Sequence, residues 1–327
     1  METPSLSRSR QLKVSVALAT YNGERFLPQQ LASIQQQTRL PDEVVVCDDR
    51  SNDRTVDILR EFAASVAYPV RIFENRQNLG SAANFEHAIR RCEGDLIALS
   101  DQDDIWYPIR LERSEQELAA HPPASLVFSD GDIVDDENQL LGTRLWTNFG
   151  FTGETRRRLL EGDYTVFAKN RFVTGATVMF RSRIRENCLP VGAGWVHDEW
   201  IVALTAAVAE VRPIEIPLIR YRSHAAQQIG LGPKPSFKQR NQEHWDQLSR
   251  QIELLHGISS RLSEQPLSES GQLLFSCYQD HLRFARFRYA LPKNRLARLS
   301  AVLKERPSYA RLGSGIFSMA RDLVLNK

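Results

Sequence analysis

Residues 95–104 read DLIALSDQDD, and the fold turns on how this stretch divides. Asp95–Ser100 is a short, mostly apolar run between polar residues, the pattern of a buried strand. It runs straight into Asp101-Gln102-Asp103-Asp104. Carboxylates so close repel one another, and a folded chain neutralises such a group with a cation or leaves it in solvent. Hard oxygen ligands suit Mg²⁺ or Mn²⁺, which keep waters and bind phosphates. An exposed acidic turn or a capping cluster is the alternative, but the position behind a buried strand and beside Trp106 favours the cation.

Upstream, Lys13–Ala19 (KVSVALA), Glu43–Cys47 (EVVVC) and Val70–Glu74 read as further strands. Helices are predicted between them over Phe26–Gln37, with Pro28 early where a helix tolerates it, and over Asp53–Ala64, with Ser51-Asn52-Asp53 as capping candidates. A short helix over Asn84–Arg91 precedes Asp95. Strands alternating with helices at this spacing imply an α/β fold with a mostly parallel central sheet flanked by helices. Such sheets bind ligands at the carboxyl ends of their strands. Thr20–Asn22, Asp48-Asp49 and Asp101–Asp104 all fall at that rim.

Downstream, Leu126–Asp130 and Thr174–Phe180 are strand candidates, and Leu140–Asn170 reads as polar and irregular. From about Lys234 the pattern turns helical, over Phe237–Leu262, Ser268–Leu291 and Lys293–Lys304. A boundary near Gly232-Pro233 therefore divides a catalytic-type domain, 12–232, from a C-terminal basic helical extension, 233–327.

Several function classes are excluded by what the chain lacks. Its 327 residues, 42% hydrophobic and 25% charged with a formal charge of +2, describe an ordered globular protein. Cys47, Cys92, Cys188 and Cys277 show no CxxC or zinc spacing, so free thiols are expected. The polar start contains no hydrophobic leader, and apolar runs such as Ile201–Val208 fall short of the ~20 residues that span a bilayer. A cytoplasmic location is the expectation. Neither GxGxxG nor GxxxxGK[ST] is present, which disfavours dinucleotide and P-loop enzymes.

The joint pattern is more specific than any part. Ala19-Thr20-Tyr21-Asn22-Gly23, Asp48-Asp49-Arg50-Ser51, Asn78-Leu79-Gly80 and Asp101-Gln102-Asp103-Asp104, each after a strand, resemble in order and spacing the family 2 glycosyltransferases of GT-A fold. The likeness runs from about Lys13 to Gly230. The DQDDIW form, His197-Asp198 and Tyr221-Arg222-Ser223-His224 are similar to a rhamnosyltransferase-like subgroup.

The resemblance implies an inverting, metal-dependent transfer of a sugar from a nucleotide-diphosphate donor to a glycan or lipid-linked acceptor in cell-surface polysaccharide synthesis. Rhamnose from dTDP-rhamnose is the leading donor. It implies a nucleotide-sugar half, about 12–130, and an acceptor half, about 131–232. Thr20, Tyr21, Asn22, Asp48, Asp49, Arg76, Asn78, Gly80, Asp101 and Gln102 would line the donor pocket, with Asp103, Asp101 and His224 on Mg²⁺ or Mn²⁺. Asp198 would be the general base, with Glu199 its rival. Trp200, Glu199, His197 and Gly175 are acceptor-side candidates, and Arg220 or Arg222 could pair with phosphate. A catalytically inactive nucleotide-sugar-binding or scaffolding module of the same fold is the alternative.

Between His281 and Lys327 the Arg and Lys residues face only Glu305 and Asp322, and Leu291, Leu296, Leu299 and Leu303 recur at near-helical spacing. Two readings stay open: a helix on an anionic membrane surface, which implies a peripheral position on the inner face of the cell membrane, or a solvated basic face packed on the catalytic domain. Nucleic acid is not expected, since no recognition motif is present.

Overall fold

The computed structural model describes residues 12–223 and 237–324. The boundary near Gly232-Pro233 and the candidate ligand His224 lie outside the described residues.

The elements β1 (Val14–Thr20), α1 (Leu27–Gln35), β2 (Glu43–Asp48), α2 (Thr55–Ser65), β3 (Val70–Glu74), α3 (Ser81–Arg91) and β4 (Leu96–Ser100) alternate as the sequence predicts. Every residue of β1, β2 and β4 is buried. Strands covered on both faces read as continuous apolar runs, which is why these were legible. They pair in parallel in the order β3-β2-β1-β4. The chain steps outward from β1 to β3 and then returns to the other side of β1, so the switch point lies between β1 and β4. Open sheets of this kind take their ligands at such a switch point, beyond the strand ends.

Past β4 come β5 (Ile105–Trp106), α4 (Arg110–Ala120), β6 (Ala124–Val134), β7 (Leu140–Arg144), α5 (Leu145–Asn148), α6 (Gly153–Leu160), β8 (Val178–Arg181), α7 (Arg185–Cys188), α8 (His197–Val208) and β9 (Glu210–Arg222). The sheet becomes mixed here. β8 runs antiparallel to both β4 and β6, β9 runs parallel to β6, and β5 and β7 pair antiparallel with β9 and β6. The stretch 140–170, expected to be irregular, carries β7, α5, α6 and a 3-10 turn at Tyr164–Ala168. Thr152 caps α6 by accepting the Thr155 N–H at 3.2 Å.

The remaining helices are α9 (Phe237–Ser263), α10 (Glu269–Tyr289), α11 (Arg295–Lys304), α12 (Arg306–Leu312) and α13 (Ile316–Val324). Helices α9 and α10 bury Leu255, Ile258, Leu262, Leu274 and Tyr278 in the same core as the sheet. A Cβ on Gly271 would stand 1.9 Å from the Ala207 carbonyl oxygen, so the α10 backbone seats directly against the end of α8. Helices α11–α13 close around a second small core of Phe284, Leu291, Val302 and Tyr309. The four cysteines are free thiols, and burial raises the Cys47 thiol to about 11.

Candidate active site

At the carboxyl end of β1 the chain is laced to its neighbours. Thr20 Oγ1 donates to Asp48 Oδ2 at 2.8 Å, the Asn22 N–H donates to Ser51 Oγ at 2.8 Å, and Asn22 Oδ1 accepts the Asn52 N–H at 2.9 Å. Gln102 brackets Tyr21 from both sides, its Oε1 accepting the Tyr21 N–H at 2.8 Å and its Nε2 donating to the Tyr21 carbonyl at 3.0 Å. The backbone of the half-exposed Tyr21 is thus held by the loop that follows β4.

Asp48 and Asp49 divide their work. Asp48 is buried, and besides Thr20 it accepts the Ser51 N–H and hydroxyl, so its carboxylate organises the turn. Asp49 accepts N–H groups of Leu79 and Gly80, each at 2.8 Å, and the Asn75 amide at 2.9 Å. Gly80 adopts φ +82° there, immediately before α3. Asn78 Nδ2 lies 3.4 Å from the Asp49 carbonyl, and Arg76 is exposed on the same loop. Asn84, absent from the predicted set, is buried and ties the first two strand ends together, donating to the Cys47 and Thr20 carbonyls at 2.8 and 3.3 Å. A polar residue inside the apolar face of α3, next to Phe85, was the cue to it.

The carboxylates after β4 are crowded. Burial, with Asp103 and Asp198 nearby, raises Asp101 to about 8, and Arg110 only partly opposes this. Asp104 is raised as well, by burial and by Asp103 and Asp101. Its Oδ1 accepts the Arg222 N–H at 3.1 Å, while Oδ2 is buried without a partner. Arg110 is the inner countercharge: buried, lying over Trp106 at 3.6 Å, and donating to the Leu99 and Ala176 carbonyls. Burial lowers it to about 9 against the pull of Asp104 and Asp101. Arg222 does not offer itself to phosphate. Its guanidinium donates to the Asp103, Asp135 and Asp136 carbonyls and to Gln29, and braces the DQDD turn from below. Arg220 lies over the Tyr107 ring instead.

Opposite stands the first turn of α8. Asp198 Oδ2 accepts the Gly175 N–H at 2.7 Å and Oδ1 accepts the Glu199 N–H at 2.7 Å, which fixes the carboxylate plane. His197 is buried and stacked on Phe85 at 3.8 Å, with both ring nitrogens unpartnered. Burial lowers its pKa despite Asp198, so the ring is a neutral spacer and is not open to an acceptor. A Cβ on Gly175 would lie 2.6 Å from His197 Nε2 and 3.4 Å from Asp198 Cβ. Gly175→Ala should therefore destabilise the fold by about 1–3 kcal/mol, read as a lower urea midpoint. An unchanged midpoint would mean that His197 has room to yield.

Trp200 was expected on the acceptor side, and this is corrected. It is buried, and its indole N–H donates to the Cys188 carbonyl at 2.7 Å. Glu199, one residue earlier on the helix, points elsewhere and pairs with Arg171 at 3.2 Å. Burial, with Arg171 opposing and Asp198 adding, raises it to about 7. It lines a cavity of about 180 Å³ together with Arg171, Phe172, Trp195, Tyr278 and His281. The sequence reading missed Trp195, which follows Gly192-Ala193-Gly194, and missed Tyr278 and His281, which arrive from α10 by tertiary packing.

Among the described residues, no three His, Cys, Asp or Glu side chains are arranged to hold an ion by themselves. Mg²⁺ and Mn²⁺ sites of the substrate-binding kind do not need this, since waters and phosphates complete them. The crowded Asp101, Asp103 and Asp104, with one buried carboxylate oxygen lacking a partner, fit such an ion. The folded Asp101 value lies above its unfolded one, so metal-free stability falls as pH rises from about 4 towards 8. A cation needs the carboxylate, so Mn²⁺ titration at pH 7 should release protons, seen as heats that vary with buffer ionisation enthalpy. Heats independent of the buffer would contradict a raised Asp101.

Residues 15–188 match the sequence profile described as Glycosyl transferase family 2. The chain is 35% identical over 133 residues to the putative glycosyltransferase EpsE of Bacillus subtilis (strain 168), covering 41% of this chain and 48% of that protein. It is 36% identical over 101 residues to the dTDP-rhamnosyl transferase RfbG of Shigella flexneri, covering 30% and 35%. The chain thus spans half or less of the length of these two curated relatives. S. aureus TarS 1–349 in complex with UDP-GlcNAc superposes with a TM-score of 0.58 at 14% identity, over 95% of this chain and 87% of that one. The mannosyltransferase PcManGT of Pyrobaculum calidifontis, in complex with GDP-Man and Mn²⁺, gives 0.50 at 18%, over 98% and 82%. These likenesses establish a GT-A fold, and the profile match covers more than half of the residues: the chain belongs to glycosyl transferase family 2.

Proposed function

We propose that the protein is an inverting, metal-dependent glycosyltransferase that moves a sugar from a nucleotide-diphosphate donor to a hydroxyl of a glycan or lipid-linked acceptor. The observation that carries this is the joining of the Asp198 turn to the end of β4: Asp198 accepts the Gly175 N–H, and Arg110 donates both to the Ala176 carbonyl beside it and to the Leu99 carbonyl of β4. A proton acceptor and an anionic, cation-demanding loop then share one crevice. Thr20, Tyr21 and Asn22 would receive the nucleotide, with Asp49 holding the 75–80 loop against it. Asp103 and Asp101 would hold Mg²⁺ or Mn²⁺, which when bound supplies positive charge against the departing diphosphate.

In the reaction the acceptor oxygen forms a bond to the anomeric carbon, the bond from that carbon to the diphosphate oxygen breaks, and Asp198 takes the hydroxyl proton. The Gly175 and Glu199 N–H groups keep the Asp198 carboxylate oriented throughout. The cavity beside Glu199, with Trp195 and Tyr278 as apolar walls, would seat the acceptor sugar. dTDP-rhamnose is the leading donor, supported by the partial likeness to RfbG, with UDP-hexoses behind it. Cell-surface polysaccharide synthesis, carried out at the cytoplasmic face of the membrane with the protein bound peripherally, is the setting. The test is release of nucleoside diphosphate from a donor panel with Mn²⁺ and a lipid-glycan extract, with the product anomer read by NMR. Inversion is expected, and a product that retains the donor configuration would refute the single displacement.

A further inference from the structure

Helices α11 and α13 each turn one face to the small core, through Val302 in α11 and Met319 and Leu323 in α13, and leave further large apolar side chains outside. In α13 the buried positions are Ser318 and Asp322, while Ile316 and Phe317 are 77% and 84% exposed and Val324 is also outside. In α11 the buried positions are Arg298 and Val302, while Leu296 is 79% exposed and Leu299 and Leu303 stand out beside it. Among the described residues, Phe317, Leu296 and Ile316 are the most exposed large apolar side chains.

Internal ion pairing in α13 and buried hydrogen bonds in α11 fix this arrangement. Asp322 accepts from Arg288 Nε and Nη2 at 2.6 and 2.8 Å and from the Tyr309 hydroxyl at 2.7 Å, with His244 Nε2 at 3.3 Å. Arg298 donates to the Pro292 carbonyl at 2.7 Å. Rolling either helix to hide its leucines or Phe317 would pull a buried charge away from its partners, which is costly. Leu296, Leu303, Ile316 and Phe317 stay outward because Arg298 and Asp322 are pinned inward beside Val302, Met319 and Leu323. Around them Lys293, Arg295, Lys304, Arg306 and Arg321 are exposed, while the acids of this stretch are the half-buried Glu305 and the enclosed Asp322.

We infer that α11 and α13 bind the surface of an anionic lipid bilayer, their apolar side chains entering the interface and their cations meeting the headgroups. Among the described residues no helix is long and apolar enough to cross a membrane, so the contact is with one leaflet. Self-association through this face would bring two basic surfaces together, which favours lipid over a second copy as the occupant. The inference deepens the peripheral placement proposed above by naming the face and the charge it meets.

The test is flotation of the full chain with vesicles of phosphatidylcholine alone and of phosphatidylcholine with phosphatidylglycerol. Binding should require phosphatidylglycerol and weaken as salt rises. Phe317→Ser with Ile316→Ser should reduce it at least tenfold, and Arg295→Gln with Lys304→Gln should remove most of its salt dependence. All four positions are exposed, so circular dichroism melts should stay unchanged. Equal recovery with neutral vesicles, or none with either, would overturn the inference. So would a dimer in sedimentation that Phe317→Ser dissociates, since the face would then belong to a second copy. Nucleoside-diphosphate binding is measured on the same samples; its loss in the wild type alongside normal flotation would sink the transferase reading and leave the lipid face standing.

Discussion

Asp198→Asn is expected to lower turnover by about 10²–10⁴-fold while donor affinity stays within a few-fold of wild type. The carboxamide matches the carboxylate in size, so the packing of Gly175, His197 and Phe85 is kept. One of the two N–H groups that Asp198 accepts would face an amide NH₂, at a cost of about 1 kcal/mol, which the fold tolerates. What disappears is the ability to accept the acceptor hydroxyl proton. Normal turnover would reject Asp198 as the base. Glu199→Gln is the paired variant: Glu199 faces Arg171 and the cavity, so its loss should raise acceptor KM more than it lowers kcat. A large kcat loss in Glu199→Gln with normal Asp198→Asn would exchange the two roles.

Asp103→Ala is expected to remove metal-dependent donor binding, weakening affinity for a nucleoside diphosphate in Mn²⁺ by at least about 100-fold, or roughly 3 kcal/mol. Its effect on the metal-free protein should have the opposite sign. Asp103 adds to the charge that raises Asp101 and Asp104, so its removal relieves that repulsion and lowers both pKa values. The metal-free melting temperature should rise, and the rise should be larger at pH 8 than at pH 5, where Asp101 is protonated. A variant that loses binding and also melts lower would point to a disrupted turn and not to a lost ligand.

How much was legible followed burial. Strands β1, β2 and β4 have both faces covered, so their sequences are unbroken apolar runs and their ends could be placed within a residue or so. The loop clusters at those ends inherited that accuracy. Helix α4 (RLERSEQELAA) went unread because Leu111, Ser114 and Leu118 are the positions it buries besides Arg110, too thin a stripe to announce a helix. The segment 140–170 looked irregular because its elements are short and β7 is mostly exposed.

Side-chain direction was the second limit. Trp200 and Glu199 are neighbours, yet one enters the core and the other the cavity, and a step of one residue around a helix decides which. Arg222 carries the charge that suits phosphate, but three backbone carbonyls from two turns converge on it. Arg110 and Asn84 hold the site from beneath the surface. Local sequence gives no sign of such convergence, because the partners lie far away along the chain.

The most direct measurement is calorimetric titration of UDP and dTDP into the full chain, with Mn²⁺ and again with EDTA. Saturable binding in Mn²⁺ that vanishes in EDTA, and that Asp103→Ala removes even in Mn²⁺, is the predicted result. Binding that is indifferent to EDTA, or no binding of either nucleotide under any condition, would contradict a divalent cation gripping the donor between β1 and β4.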